Sequence, residues 1–452
     1  MKKSILLFFI LISIRIFSQN DPSIEFTFIP EWGHSDLLQG RIHNATISDH
    51  GVAVYIFAEE AGGWWTKPTF TEPVTMIQPD SSFTTNIVTG GIDQYATRII
   101  AFLIPLSLSP PIMAGAELPD SMFLYPYVVS CRPHGERVIS WSGYDWVVKK
   151  SVGDPLISMG PGPNIFNDHD TMVWVDGQQR LHLRIAKKGN EWHCSEVICR
   201  SSQGYSLYEF DVGSRVDLLD PSVVNGIFTW DDCSPFAQPP NNYFREIDIE
   251  FSRWTSLYYD ISQYVIQPWD KPGNMHRFDM DLTGIDHSVH SFAWKSDSIV
   301  FTSIWGDSAH SWKYTNPVYL PEPGKENIRI NLWLINGWPP SDNLNAEVIL
   351  NSVYTDIPDS RFKNCQVNVY PNPMNNGCKI EIQSDISTDA EILIIDFYGN
   401  NIRRVFTGKI VPGSNKIYWD GNAELGQPVP RGLYFIYYWD KNDTRHFKIV
   451  KL

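Results

Sequence analysis

The chain has 452 residues and a formal charge of -15, with 43% hydrophobic and 13% aromatic residues, 31 prolines and 30 glycines. That length exceeds what one hydrophobic core organises, so two or three domains are expected, and the composition is that of a turn-rich globular protein, not a disordered one. The acidic balance excludes nucleic acid as a partner, because phosphate binding needs clustered Lys and Arg, and it favours a neutral substrate.

The first residues, Met1-Lys2-Lys3, precede an apolar run from Ile5 to Ile16 broken only by Ser13 and Arg15. A charged start, an apolar stretch and small polar residues after it read as a secretory signal over residues 1–18, cut after Ser18. No later stretch approaches the length of uninterrupted apolar residues that spans a bilayer, so no transmembrane segment is expected in the mature chain. Six cysteines in an exported chain can pair, but none shows a paired zinc spacing; Cys194 with Cys199 and Cys365 with Cys378 are the pairings considered, and connectivity stays open.

Alternating polar and apolar runs are frequent and helical periodicity is scarce, which predicts an all-β chain. The first block, residues 19–128, has strand candidates at Ile24–Phe28, Gly51–Ala58 and Thr97–Leu103 and is expected to be a small β-sandwich. Its Trp64-Trp65 pair follows Gly62-Gly63, which reads either as a loop presenting aromatic faces to a polysaccharide or as a clamp at a domain interface.

The second block, residues 131–359, contains Phe244-Arg245-Glu246-Ile247-Asp248-Ile249-Glu250-Phe251. The two-residue period of a strand puts Glu246, Asp248 and Glu250 on one face and the isoleucines and Phe251 on the other. A solvated face of an amphipathic strand is the plain alternative. Three neighbouring like charges with no interleaved cation cost stability, however, which points to a use for them. Long glutamate side chains converging on a concave sheet could approach the separation of a retaining glycosidase pair, with Asp248 between them holding a proton on the acid to higher pH.

This strand resembles the Glu-x-Asp-x-Glu signature of glycoside hydrolase family 16, the lichenase and laminarinase group. The resemblance extends through Val173-Trp174-Val175-Asp176, Cys194-Ser195-Glu196-Val197, Gly226-Ile227-Phe228-Thr229-Trp230, His290-Ser291-Phe292-Ala293-Trp294 and Ile330-Asn331-Leu332-Trp333, in that order, over about the middle half of the chain. It implies a concanavalin-like jelly roll that hydrolyses a β-linked polysaccharide, a β-glucan by preference, in an endo-acting mode with retention of configuration. By the same carry-over Glu246 is the nucleophile, Glu250 the general acid/base and Asp248 the residue that assists the nucleophile. Glu196, Phe228, Trp230, Phe244, Gln263, Asn331 and Trp333 would line the cleft. Phe244 stands where lichenases usually have Trp, Gln263 where Asn is common, and the motif lacks the bulge residue of many laminarinases, so the resemblance constrains chemistry more than polymer. The other reading on the same scaffold is a surface polysaccharide-binding protein without turnover. No cofactor is expected; a structural calcium ion is left open without an identified site, and the scattered histidines show no metal or Ser/His spacing.

The third block, residues 364–452, carries Val369-Tyr370-Pro371-Asn372-Pro373, Trp419-Asp420-Gly421 and Pro430-Arg431-Gly432-Leu433-Tyr434. This resembles the C-terminal sorting domain of type IX secretion, an immunoglobulin-like β-sandwich. It implies the type IX machinery as a partner and a location outside a Gram-negative cell, secreted or on its outer surface. A monomer is expected.

Overall fold

A computed structural model describes residues 21–153, 155–236, 243–356, 365–384, 387–396, 401–440 and 443–452; the predicted signal, residues 1–18, lies outside them. The described residues form strands and short 3-10 turns, without an α-helix, as the alternating patterns require. They divide into two compact units, residues 1–355 and 356–452.

In the first unit, a three-stranded sheet (Ser23–Phe28, Leu38–His43, Ser82–Thr85) packs on a six-stranded one that contains His50–Ala58, Gly63–Lys67 and Arg98–Pro105. Leu38–His43 alternates buried and exposed along its whole length, as an edge layer does. His50–Ala58 and Arg98–Pro105 are buried on both faces, one against the small sheet and the other against Trp64, Met113 and Met122. Two covered faces explain why both read as unbroken apolar runs. Trp64 lies in a strand and is 2% exposed, its ring edge-on to Phe236 at 5.7 Å. The pair is therefore no loop platform: Trp64 is the interface clamp. A Cys131–Cys233 disulfide ties the same junction. Closing a loop of 102 residues stabilises by up to about 4.7 kcal/mol through the unfolded chain. Cys194 and Cys199, considered above as a pair, are separate buried thiols, pushed up to about 12 and about 11 by burial.

The central block is a sandwich of two antiparallel sheets. One runs Met275–Phe278, Ser262–Ile266, Ile247–Phe251, Val223–Trp230, Asn327–Leu334, Glu191–Cys199 and Tyr144–Val148. The other includes Leu181–Lys188, Ala346–Asp356, Leu207–Val212, Ser288–Trp294, Ile299–Trp305 and Ser308–Tyr314. Ile227, Ile249, Ile330 and Leu332 of the first meet Phe210, Phe292, Phe301 and Leu350 of the second in one core. Each of these large apolar side chains contributes on the order of 2 kcal/mol by leaving water.

The second unit has a three-stranded and a four-stranded sheet around Ile380, Ile382, Ile392, Ile394, Trp419 and Ile436. Cys378–Ser384 alternates, with Cys378, Ile380, Ile382 and Ser384 buried, which is the period expected of a sheet with one wet side.

Candidate active site

Strand register, more than any single motif, assembles the site. Gln263 pairs with Glu250, Glu250 with Gly226, Gly226 with Asn331, and Asn331 with Glu196, so residues from five strands form one row across the sheet. Asp248, Phe228 and Arg329 form the adjacent row on the same face. Ile247, Ile249 and Phe251 point the other way and are fully buried in the core, as the two-residue period predicts. Gly226 keeps the floor flat: a Cβ there would lie 2.6 Å from Asn331 Oδ1, which accepts a hydrogen bond from the Gly226 N–H at 3.0 Å.

Over these rows opens a cleft of about 480 Å³. Of the residues expected to form it, Glu196, Phe228, Trp230, Phe244, Glu246, Asp248, Glu250, Asn331 and Trp333 line it. Gln263 does not. It is 3% exposed beside Glu250, donating from Nε2 to Glu250 Oε2 at 2.6 Å and accepting from Arg277 Nε at 2.9 Å. It therefore relays the Arg277 charge to Glu250, and its neighbour position on the next strand takes it off the cleft surface. Trp230 and Phe244 stack on each other at 4.3 Å and 5° between planes, so each keeps one face at most for a sugar ring. Glu196 is also buried, 1% exposed, with Lys149 Nζ 3.0 Å from Oε2; its Oε1 has no hydrogen-bond partner in the protein.

The turn before Glu246 is conformationally costly. Phe244 and Arg245 both have φ of 54°, in the left-handed region that side chains disfavour. Neighbours hold it there: Phe244 and Arg245 carbonyls accept from Asp231 N–H at 2.8 Å and Thr229 Oγ1 at 2.7 Å, and Arg245 Nη1 meets Asp231 Oδ2 at 2.8 Å in a buried pair. Asp231→Ala would leave the Arg245 guanidinium buried without its counter-charge. A loss of about 3–5 kcal/mol in urea unfolding is expected; a loss below about 1 kcal/mol, the range of an exposed pair, would contradict this role.

The three carboxyls share a water-poor surface. Burial, then the charge of Glu250, pushes Glu246 up to about 8, opposed by a hydrogen bond with Asp248 and by Arg329. Burial pushes Glu250 up to about 7 against the pull of Gln263 and Arg277. Asp248 rises well above the usual carboxylate range through burial and the charges of both glutamates, while Gln267 Nε2 donates to its Oδ2 at 3.1 Å. Gln267, Arg277, Arg329 and Lys149 were not anticipated from the sequence. Arg329 had a signal: it alternates with Asn331 and Trp333 on the cleft face of its strand. Among the described residues no cluster of three or more His, Cys, Asp or Glu is arranged to hold a metal ion.

Residues 368–451 match the family described as a secretion system C-terminal sorting domain. That domain marks the chain for type IX secretion, to the cell surface or outside. Among the described residues no helix is long and apolar enough to cross a membrane. No curated protein sequence matches the chain. Among solved structures, the chain is similar to a β-1,3-glucanase from Mycobacterium marinum at 16% identity, covering 50% of this chain and 94% of that one, with a TM-score of 0.36. It is similar to LamAcat from Zobellia galactanivorans at 13% identity, covering 46% and 90%, with a TM-score of 0.34. It is also similar to Rv0315 of Mycobacterium tuberculosis, described as an immunostimulatory antigen and pseudo β-1,3-glucanase, at 16% identity, covering 47% and 90%, with a TM-score of 0.36.

Proposed function

We propose that the chain is a secreted retaining glycoside hydrolase that cleaves a β-linked polysaccharide, a β-glucan by preference, in an endo-acting mode. The observation that carries this reading is the carboxyl set Glu246, Asp248 and Glu250 on the floor of an aromatic-walled cleft, all three holding their protons above the usual carboxylate range. The cleft's aromatic faces suit the apolar faces of pyranose rings, and its buried polar groups suit their hydroxyls.

The three groups titrate together, so roles follow from their partners. Glu250 keeps its proton until about pH 7 by burial and supplies it to the leaving oxygen as general acid. Asp248, neutral, hydrogen-bonds Glu246. Once Glu250 is neutral, the second of the causes that raise Glu246 is gone and burial, the first, remains; against it the Asp248 hydrogen bond and Arg329 favour the ionised form. Glu246 then attacks the anomeric carbon, the glycosidic bond breaks as Glu250 protonates its oxygen, and a glycosyl ester forms. Glu250, now the base, takes a proton from water as water attacks the anomeric carbon and the bond from that carbon to the Glu246 carboxylate breaks, restoring both residues and the starting configuration.

Because Glu250 must be protonated, kcat/KM is expected to fall as pH rises through about 7. Arg277 favours the ionised form, so Arg277→Met raises the Glu250 pKa and moves that basic limb to higher pH. A limb that stays in place or moves down would contradict the assignment. The reading as a whole is tested by incubating the mature protein and Glu246→Gln with lichenan, laminarin, xyloglucan, agarose and carrageenan and measuring new reducing ends. Glu246-dependent cleavage supports it; inactivity on all, with binding equal in both proteins, favours a binding protein without turnover.

A further inference from the structure

The cleft does not end within the central sandwich. Besides Glu196 and Lys149, its wall includes Glu59 and Arg98 of the N-terminal block and His134, which follows the Cys131 bridge. His134 is 6% exposed; its Nδ1 has no hydrogen-bond partner, and its Nε2 faces Glu59 Oε2 at 3.5 Å. Arg98 lies over the Phe57 ring at 4.5 Å, and its buried Nε also has no partner. Buried polar groups of this kind cost stability when left unpaired in a folded protein, a cost that a ligand's hydroxyls would offset. A second cavity, of about 310 Å³, shares Glu59, Met159 and Gly160 with the first. Glu59 therefore borders both cavities.

We propose that the N-terminal block supplies a distal sugar-binding subsite, in which Glu59, Arg98 and His134 hydrogen-bond the hydroxyls of a neutral sugar unit of the chain held across the carboxyl cluster. Charge decides for a neutral unit. Lys149 is matched by Glu196, Arg329 by Asp232 and the Arg98 charge by Glu59, three cations against three carboxylates, so no surplus of cations is present to bind sulfate or a uronic acid. The disulfide and the Trp64 to Phe236 contact hold the block in place, as a subsite built across a junction requires. This inference rests on the polysaccharide reading of the cleft but not on turnover.

The test uses the full mature chain carrying Glu246→Gln, titrated calorimetrically with laminarin and lichenan oligosaccharides of increasing length, alone and with Glu59→Ala, Arg98→Met or His134→Ala added. Affinity is expected to step up at the length that reaches the subsite, and each added substitution to reduce that step by about tenfold, the effect of leaving a polar ligand group unpaired. The half-exposed Glu59 side chain makes Glu59→Ala the variant expected to fold unaltered, checked by its melting temperature. Equal affinity ladders in parent and folded variants, or no binding by the parent, would overturn the inference. If the wild type cleaves these glucans while the ladders are unchanged, only the subsite fails. If the ladders respond but the wild type cleaves nothing, the subsite stands and the hydrolytic reading fails.

Discussion

Glu246→Gln is expected to lower kcat/KM by on the order of 10⁴-fold while raising the melting temperature at pH 8. The loss follows from removing the group that forms the covalent bond. The gain follows from linkage. Glu246 is raised from an ordinary value of 4.5 to about 8 in the folded protein, so between those values the folded state binds more protons than the unfolded state. Stability from this group is then complete below about pH 4.5 and is lost as pH rises to about 8. Glutamine keeps the shape and cannot ionise, so it escapes the loss. The difference between variant and wild type should be near zero at pH 4 and reach on the order of a few kcal/mol at pH 8, several degrees in melting temperature for a unit of this size. A variant less stable than wild type at pH 8 would mean that Glu246 is held by favourable pairing in the free protein and is not poised by burial.

Glu250→Ala is expected to cost on the order of 10²–10⁴-fold with a polysaccharide, and to be rescued by azide when the leaving group is an activated phenol. An activated leaving group departs without a proton, so the glycosyl ester on Glu246 still forms; what is missing is the base that activates water. Azide is already anionic. It attacks the anomeric carbon, the bond from that carbon to the Glu246 carboxylate breaks, and a glycosyl azide of retained configuration results. In Glu246→Ala the ester cannot form, and azide attacks the substrate directly as Glu250 protonates the leaving group, which gives the inverted azide. Inverted product from Glu250→Ala, or retained product from Glu246→Ala, would exchange the two roles.

The parts legible in the sequence are those that depend on local spacing. The two-residue period of Ile247, Ile249 and Phe251 against the three acids placed the strand, its core face and its cleft face, and the burial follows it. Trp230, Asn331 and Trp333 reached the cleft through the ordered motifs that carried the family resemblance. What was missed depends on register between distant strands. Nothing near Arg277 in the chain says that it will stand beside Gln263, nor anything near Asp231 that its carboxylate will hold the strained turn at Arg245. Gln263 was placed on the right face but in the cleft wall, because the order of strands alone does not reveal that its amide would be taken up between Glu250 and Arg277. Trp64 admitted two readings until its partner, Phe236, was found in another block. The same non-local packing joins Cys131 to Cys233 and brings Glu59, Arg98 and His134 to the cleft.

The most direct test of the central claim is the anomeric configuration of the first product, followed by proton NMR during Glu246-dependent cleavage of a β-glucan oligosaccharide. The account predicts that the β-anomer appears first and then mutarotates toward equilibrium, as a double displacement through Glu246 requires. An α-anomer appearing first would mean that water attacks directly, and the assignment of Glu246 as nucleophile would be wrong.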